Sequence, residues 1–316
     1  MTTLEKDRTL DPHFDAMLEA AKAIQMPPMA AIPAPMVREL YRSQRAGQDA
    51  GAPKDLDVRD LEVAGAEGPL KARLYTPKDA AAVGGCLIYF HGGGFVIGDL
   101  DTHDDFLRRL SAASGLRAIA IDYRLAPEHP FPAAHDDALA ATKWVFDHAA
   151  EIGVDPAKIA VGGCSAGGNL AACLAIELKT DPAHQIAFQL LLYPATAMEQ
   201  ETQSRKDLAV GYVLTAEVMA WFGEHFGATK HADGRRAEPK HADVSGVAPA
   251  LVITAGFDPL KDEGKAYAAQ LNAAGVKATH VEYPSFVHDF MIMASVSPAV
   301  VPAIEDTAKA LKAAIG

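Results

Sequence analysis

One pentapeptide constrains this chain more than any other feature. Gly163-Cys164-Ser165-Ala166-Gly167 follows an apolar run, Lys158-Ile159-Ala160-Val161-Gly162, with the look of a strand. It precedes Gly168 to Leu178, which has the composition of a helix. A serine at so sharp a strand-to-helix turn needs small residues two positions away on either side, because the backbone there is crowded and strained. That is the pattern of a nucleophile elbow, G-x-S-x-G. A hydroxyl placed there is a weak nucleophile until a base takes its proton, and the charge it generates needs N–H donors. The elbow therefore predicts a downstream acid, then a histidine, and an upstream loop that can meet an oxyanion.

The rest of the chain has the alternation such a turn requires. Leu56 to Val63 and Leu70 to Tyr75 are expected as a hairpin turning at Gly65 to Pro69. Strands are then expected at Cys86–Phe90, Arg117–Ile121, Lys158–Gly162, Phe188–Leu192, Ala250–Ala255 and Thr279–Tyr283. Helices are expected at Thr102–Ser114, Ala133–Ala150, Lys261–Ala274 and Ala299–Ala314. Continuous apolar strands between amphipathic helices imply an α/β fold with a mostly parallel sheet covered on both faces. Two segments stand apart. The N-terminal stretch has apolar residues at helical spacing (Phe14, Met17, Leu18, then Met36, Val37, Leu40, Tyr41), broken by Pro27, Pro28, Pro33 and Pro35. Thr196 to Asp243 is polar apart from an island of Tyr212, Val213, Leu214, Met219, Trp221 and Phe222, and it has the character of an insertion.

Composition narrows the function. A net charge of −12 argues against nucleic acid or an anionic membrane as the main partner. The three cysteines, Cys86, Cys164 and Cys173, lie in apolar or motif contexts without metal-type spacing, and reduced thiols are expected. Met1 to Arg8 lacks the apolar stretch of a signal peptide, and no uncharged apolar run approaches membrane-spanning length. A cytoplasmic location is expected. His103-Asp104-Asp105 and His135-Asp136-Asp137 each fall near an expected helix start, so capping and exposed polar residues are expected there rather than a metal site.

Upstream of the elbow, His91-Gly92-Gly93-Gly94-Phe95 follows the strand ending at Phe90. Glycines let backbone N–H groups approach a substrate oxygen with no Cβ in the way, and the order matches an HGGG oxyanion loop. With Asp122-Tyr123-Arg124-Leu125-Ala126-Pro127-Glu128-His129-Pro130 and the elbow, these residues resemble the hormone-sensitive-lipase-like (family IV) esterases of the α/β-hydrolase superfamily. The resemblance runs from about Leu56 to the C-terminus. It implies an eight-stranded, mostly parallel sheet with helices on both faces and a helical cap. The expected units are N-terminal cap helices (residues 1–50), a catalytic core (51–195), a cap insertion (196–243) and the rest of the core (244–316).

By the same resemblance Asp258, in Gly256-Phe257-Asp258-Pro259-Leu260-Lys261-Asp262-Glu263-Gly264, holds the place of the acid. Asp262 and Glu263 sit where a helix begins and are expected to be first-turn carboxylates favoured by the helix dipole. His288, in Ser285-Phe286-Val287-His288-Asp289-Phe290, holds the place of the base, with Asp289 where the family usually has Gly. Cys164 stands where most members have Asp or Thr, a departure that loses a local hydrogen bond. Centred on Ser165 the elbow's flanking glycines fit better than centred on Cys164, so the thiol is expected to face away from substrate.

The expected chemistry is serine ester hydrolysis through an acyl-enzyme. Ser165, Asp258 and His288 are the triad; Gly93 and Gly94, in the oxyanion loop with His91 and Gly92, and Ala166, at the start of the helix after the elbow, supply the oxyanion N–H groups. Phe95, Tyr212, Val213 and Leu214 are expected to wall the substrate pocket. No metal or organic cofactor is expected; the expected partner is a small ester, and the resemblance implies short to medium acyl chains. Lactonase, amidase and acyltransferase chemistry share the same acyl-enzyme. A non-catalytic binding protein of this fold, as in the gibberellin receptors that resemble the family but have lost the histidine, is disfavoured by His288. By family analogy a homodimer through the edge strand Thr279–Tyr283 is a further expectation.

Overall fold

A computed structural model describes residues 9–24, 27–45, 51–198 and 200–316. The signal-peptide reading of Met1 to Arg8 lies outside the described residues. In chain order the elements are α1 (Pro12–Lys22), α2 (Ala34–Arg45), β1 (Leu56–Ala64), β2 (Pro69–Pro77), β3 (Gly84–Phe90), α3 (Asp104–Ser114), β4 (Arg117–Ile121) and α4 (Ala133–Asp147). They continue with β5 (Val154–Cys164), α5 (Ala166–Glu177), β6 (Phe188–Leu192), α6 (Gln203–Asp207), α7 (Ala216–Phe226), β7 (Ala250–Phe257), α8 (Lys261–Ala273), β8 (Ala278–Val287) and α9 (Val300–Ile315).

The strands form one eight-stranded sheet in the order β1-β2-β4-β3-β5-β6-β7-β8. Only the β1/β2 and β2/β4 pairs are antiparallel. The period of two along each central strand splits its side chains between two cores. Cys86, Ile88 and Phe90 of β3 pack with Leu170 of α5 and Tyr267 and Leu271 of α8. Leu87 and Tyr89 of the same strand pack with Leu107 and Leu110 of α3 and Ile304 and Leu311 of α9. Both faces are therefore covered, which is why β3 to β7 are predominantly apolar.

A third apolar cluster joins Ile32, Val37 of α2 and Trp221 of α7 to Val96, Ile97 and Ala126. It ties the N-terminal segment and the 196–243 segment to the loop after β3. The Glu217 carboxylate of α7 adds a bond from Met29 N–H at 2.9 Å.

Two strands run beyond their apolar signal. β5 begins at Val154, paired to Gly84, although Asp155 is only half-buried and Pro156 and Ala157 are exposed. Those residues extend past the body of the sheet, so nothing apolar marks them. β8 runs on through Pro284 and Ser285 to Val287, paired to Phe257. It is an edge strand, and a proline with no ladder hydrogen to donate is tolerated there.

Candidate active site

Ser165 is the single residue between the end of β5 and the start of α5, with φ 54° and ψ −115°. A non-glycine residue held there costs about 1–3 kcal/mol. The turn is fixed by Ser165 N–H donating to Leu192 O of β6 at 2.9 Å, and Ser165 O accepts from Asn169 and Ala195. The flanking glycines are demanded by space. A Cβ on Gly163 would lie 2.4 Å from the Gly167 carbonyl carbon, and one on Gly167 would lie 1.9 Å from Phe90 O.

Strand ends bring the other two groups to this turn. Asp258 directly follows β7, and His288 directly follows β8. His288 Nε2 is 2.9 Å from Ser165 Oγ, and His288 Nδ1 is 2.7 Å from Asp258 Oδ2. Asp258 is fully buried and His288 is 3% exposed. With Nδ1–H donating to the carboxylate, Nε2 presents its lone pair to the serine hydroxyl; the contacts assign this tautomer. The other Asp258 oxygen accepts from Leu260 N–H at 2.8 Å, which fixes the carboxylate plane. Burial is the largest influence on His288 and pulls its pKa down, but Asp258 and Asp289, with Glu263 behind them, outweigh it and raise it to about 8.

Asp262 and Glu263 do sit in the first turn of α8, yet they do more than answer a dipole. Asp262 accepts from Ser204 N–H at 2.8 Å. Glu263 is fully buried and accepts from Thr196 N–H, Ala197 N–H and the Arg205 guanidinium. Both lock the segment after β6 onto α8.

The glycine loop borders the same cavity as Ser165 through Gly94. Gly93 and Gly94 have φ 113° and 60°, and a Cβ on Gly94 would sit 2.1 Å from the Phe222 ring. The loop is braced from behind: Tyr123 OH donates to His91 O at 2.8 Å, and the His91 ring stacks on Tyr123 at 4.3 Å. Arg38 of α2 donates to Val96 O and Ala126 O, both at 2.7 Å, and pairs with Glu128. Arg124 is paired with Asp137 and Glu67. The charges around Tyr123 thus support the loop.

The two histidine-aspartate pairs depart from expectation. His103 is 1% exposed and makes no capping bond; its Nε2 accepts from Gly92 N–H at 3.3 Å and lies 3.2 Å from Cys164 Sγ. His135 is 2% exposed inside α4, with Nε2 3.0 Å from Asn169 Oδ1. Both are internal struts because each finds a buried partner that a surface side chain would not need. The hydrogen bond expected to be lost at Cys164 is thereby replaced by the imidazole contact. Burial pushes the Cys164 thiol far above its ordinary range, and burial, with His91 and Arg45, holds His103 neutral. No thiolate–imidazolium pair forms there.

Ser165 opens into a mainly apolar cavity of about 410 Å³ lined by Gly94, Phe95, Leu214, Phe222 and Phe226 among others. Tyr212 and Val213 do not line it. Tyr212 packs on Phe257 at 5.3 Å and borders a separate shallow depression beside α1, so the peptide Tyr212–Leu214 contributes only its last residue to the cavity. Among the described residues, no three His, Cys, Asp or Glu side chains are grouped to hold a metal ion, and no helix is long and apolar enough to cross a membrane.

A family model described as the alpha/beta hydrolase fold matches residues 87–292. The chain belongs to the α/β-hydrolase fold family. The carboxylic ester hydrolase LipN of Mycobacterium tuberculosis is 37% identical over 294 residues, covering 90% of this hydrolase and 77% of that protein. The ethyl acetate hydrolase of Pseudomonas putida is 36% identical over 303 residues, covering 91% of this chain and 94% of its own. Among solved structures, the hyperthermophilic esterase of Pyrobaculum calidifontis superposes with a TM-score of 0.91 at 40% identity, covering 96% of this chain and 98% of that one.

Sequence reasoning missed several residues that shape the site of this α/β hydrolase. Asn169 is fully buried in α5 and donates to Ala195 O and Ala237 O, tying the elbow helix to the 196–243 segment. Tyr193, next after β6, places its ring 5.0 Å from His288. Neither belongs to a motif; an aromatic and a polar residue inside otherwise apolar runs were the only signals.

Proposed function

We propose that this hydrolase is a serine carboxylesterase of the hormone-sensitive-lipase-like group, with Ser165, His288 and Asp258 as its triad. Ser165 Oγ attacks the ester carbonyl carbon while its proton passes to His288 Nε2. The oxyanion is met by the N–H groups of Gly93, Gly94 and Ala166, the last at the start of α5 where the helix dipole also favours negative charge. The imidazolium then protonates the ester oxygen, the carbon–oxygen bond breaks, and the alcohol leaves an acyl-enzyme. Water attacks that carbonyl, gives its proton to Nε2, and the proton returns to Ser165 as the acid departs. Asp258 holds the imidazole tautomer and balances its charge.

The observation that carries this reading is the buried line Asp258–His288–Ser165, with contacts of 2.7 and 2.9 Å, ending at the mouth of an apolar cavity. Acyl groups of short to medium length fit about 410 Å³ walled by Phe95, Leu214, Phe222 and Phe226. The ethyl acetate hydrolase relative, by its name, acts on a two-carbon acyl ester, which supports the short end. The test is hydrolysis of chromogenic esters graded in acyl length, with Ser165→Ala and Cys164→Ala alongside. Turnover peaking at short to medium chains, abolished by Ser165→Ala and kept by Cys164→Ala, is expected. An inactive wild type, or an active Ser165→Ala, refutes the reading.

Among the described residues no strand lies beyond β8 in the sheet order, and its outer edge is the proposed contact with a second copy of the chain. Sedimentation as a monomer at micromolar concentration would overturn that.

A further inference from the structure

We propose that Asp289 positions the water that deacylates Ser165. The proposal rests on the esterase reading above and concerns its second half-reaction. Asp289 follows the base and adopts φ 64°, a left-handed conformation that glycine occupies without strain. It is only 9% exposed, and its Oδ1 is buried without a hydrogen-bond donor among the described residues. A carboxylate oxygen kept in that state, on strained backbone, asks for a ligand.

Its position says which one. Oδ1 lies 3.8 Å from His288 Nε2, the nitrogen that must accept a proton from whatever attacks the acyl-enzyme. That is too far for a direct bond. It is right for one water bridging the two atoms with legs of about 2.8 Å. The same nitrogen is 2.9 Å from Ser165 Oγ, the atom that carries the acyl group, so a water held there touches the base and faces the reacting carbonyl.

A second group points the same way. Tyr193 is also held at positive φ, 36°, and its buried hydroxyl likewise has no hydrogen-bond partner among the described residues. Burial above all, with the Asp289 carboxylate nearby, keeps its phenol protonated, so it is a donor in the field of that carboxylate. The Tyr193 ring packs 5.0 Å from the same imidazole, so the two residues around it each carry a buried polar atom without a partner, the condition under which an ordered water is held. Neither residue lines the apolar cavity. The acyl chain and the attacking water thus have separate places around Ser165.

The test uses pre-steady-state hydrolysis of p-nitrophenyl butyrate at about pH 9, where His288, titrating at about 8, is largely neutral. Wild type, Asp289→Gly and Asp289→Asn are compared, each normalised by active-site titration with a fluorophosphonate. Glycine suits the backbone at this position, so the variant is expected to fold. In Asp289→Gly the acylation rate is expected to stay within about threefold, and deacylation to slow by roughly ten- to hundredfold, giving a full burst of nitrophenol. Asp289→Asn keeps a side-chain oxygen and is expected to restore most of the deacylation rate. Equal effects on the two steps, no effect on either, or an Asn variant as slow in deacylation as the Gly variant overturns the proposal while leaving the esterase reading intact. A wild type that does not turn over esters overturns both.

Discussion

Replacing Asp289 by Asn should move the acid limb of the pH–rate profile downward. His288 must be neutral to act as a base, so kcat/KM rises as pH passes upward through its pKa of about 8. The imidazole is faced by Asp258 after β7 at 2.7 Å, by Asp289 at 3.8 Å, by the more distant Glu263 of α8, and by the Tyr193 ring after β6. On α2, Arg45 sits over the Tyr41 ring at 5.2 Å. At 3.8 Å a unit charge pair is worth about 1 kcal/mol in water and about 4 kcal/mol at an effective dielectric of 20. Those limits correspond to about 0.8 and about 3 units of pKa. Asp289 and His288 are 9% and 3% exposed, so screening is weaker than in bulk water and the smaller figure is a floor. The midpoint should therefore fall to about 7 or below, raising the neutral fraction at about pH 7 from roughly a tenth to a half. The assay is kcat/KM for a short chromogenic ester across the neutral and alkaline range. A midpoint that stays within a few tenths of a unit, or rises, refutes the electrostatic account. Stability carries the same signature with its own sign. A histidine raised from 6.5 to about 8 contributes about 2 kcal/mol that is fully present below about pH 6.5 and is lost as pH rises through about 8. In Asp289→Asn that loss should shrink in urea titrations run on either side of this window.

Three further outcomes follow from the geometry. Cys164→Ala should keep ester turnover while losing about 1–3 kcal/mol of stability in urea melts, because the Sγ contact to His103 is buried; a folded but inactive variant would show that the thiol reacts. Phe222→Ala should move the acyl optimum to longer chains, since its ring closes the cavity against Gly94; an unchanged chain-length profile would put the acyl group elsewhere. Glu263→Ala leaves the Arg205 guanidinium and two N–H groups without their buried acceptor, and should cost about 3–5 kcal/mol by denaturant titration; a loss under 1 kcal/mol would mean that the segment is held by other contacts.

Motif residues were legible in the sequence because their constraint is local. Gly163 and Gly167 are fixed by contacts inside one turn and with the neighbouring strand end, so spacing alone announces them. The order of Ser165, Asp258 and His288 follows from strands that end at one edge of a parallel sheet. What escaped was polar and buried. Glu263 looks like a first-turn carboxylate, and its partner Arg205 lies 58 residues away, so no period or spacing joins them. His103 and His135 sit beside aspartates and look exposed, yet the elbow and α5 cover them. Tyr212 and Leu214 are two residues apart, but the chain turns between them, and only Leu214 reaches the cavity.

The site divides around Ser165 by polarity. On one side Gly94, Phe95, Leu214 and Phe222 offer an acyl chain an apolar wall. Around the imidazole stand Asp258, Asp289 and Tyr193, all buried and all placed by the ends of β6, β7 and β8. A nucleophile that must first meet a hydrophobic acyl group and later water gains from such a division, because each reactant is stabilised where the other is not. Two non-glycine residues held at positive φ, Tyr193 and Asp289, stand on the polar side, with Asp289 Oδ1 3.8 Å from His288 Nε2 and the Tyr193 ring 5.0 Å from the imidazole ring. If deacylation depends on that pair, removing either should slow the second step and spare the first, which no change in the apolar wall can imitate.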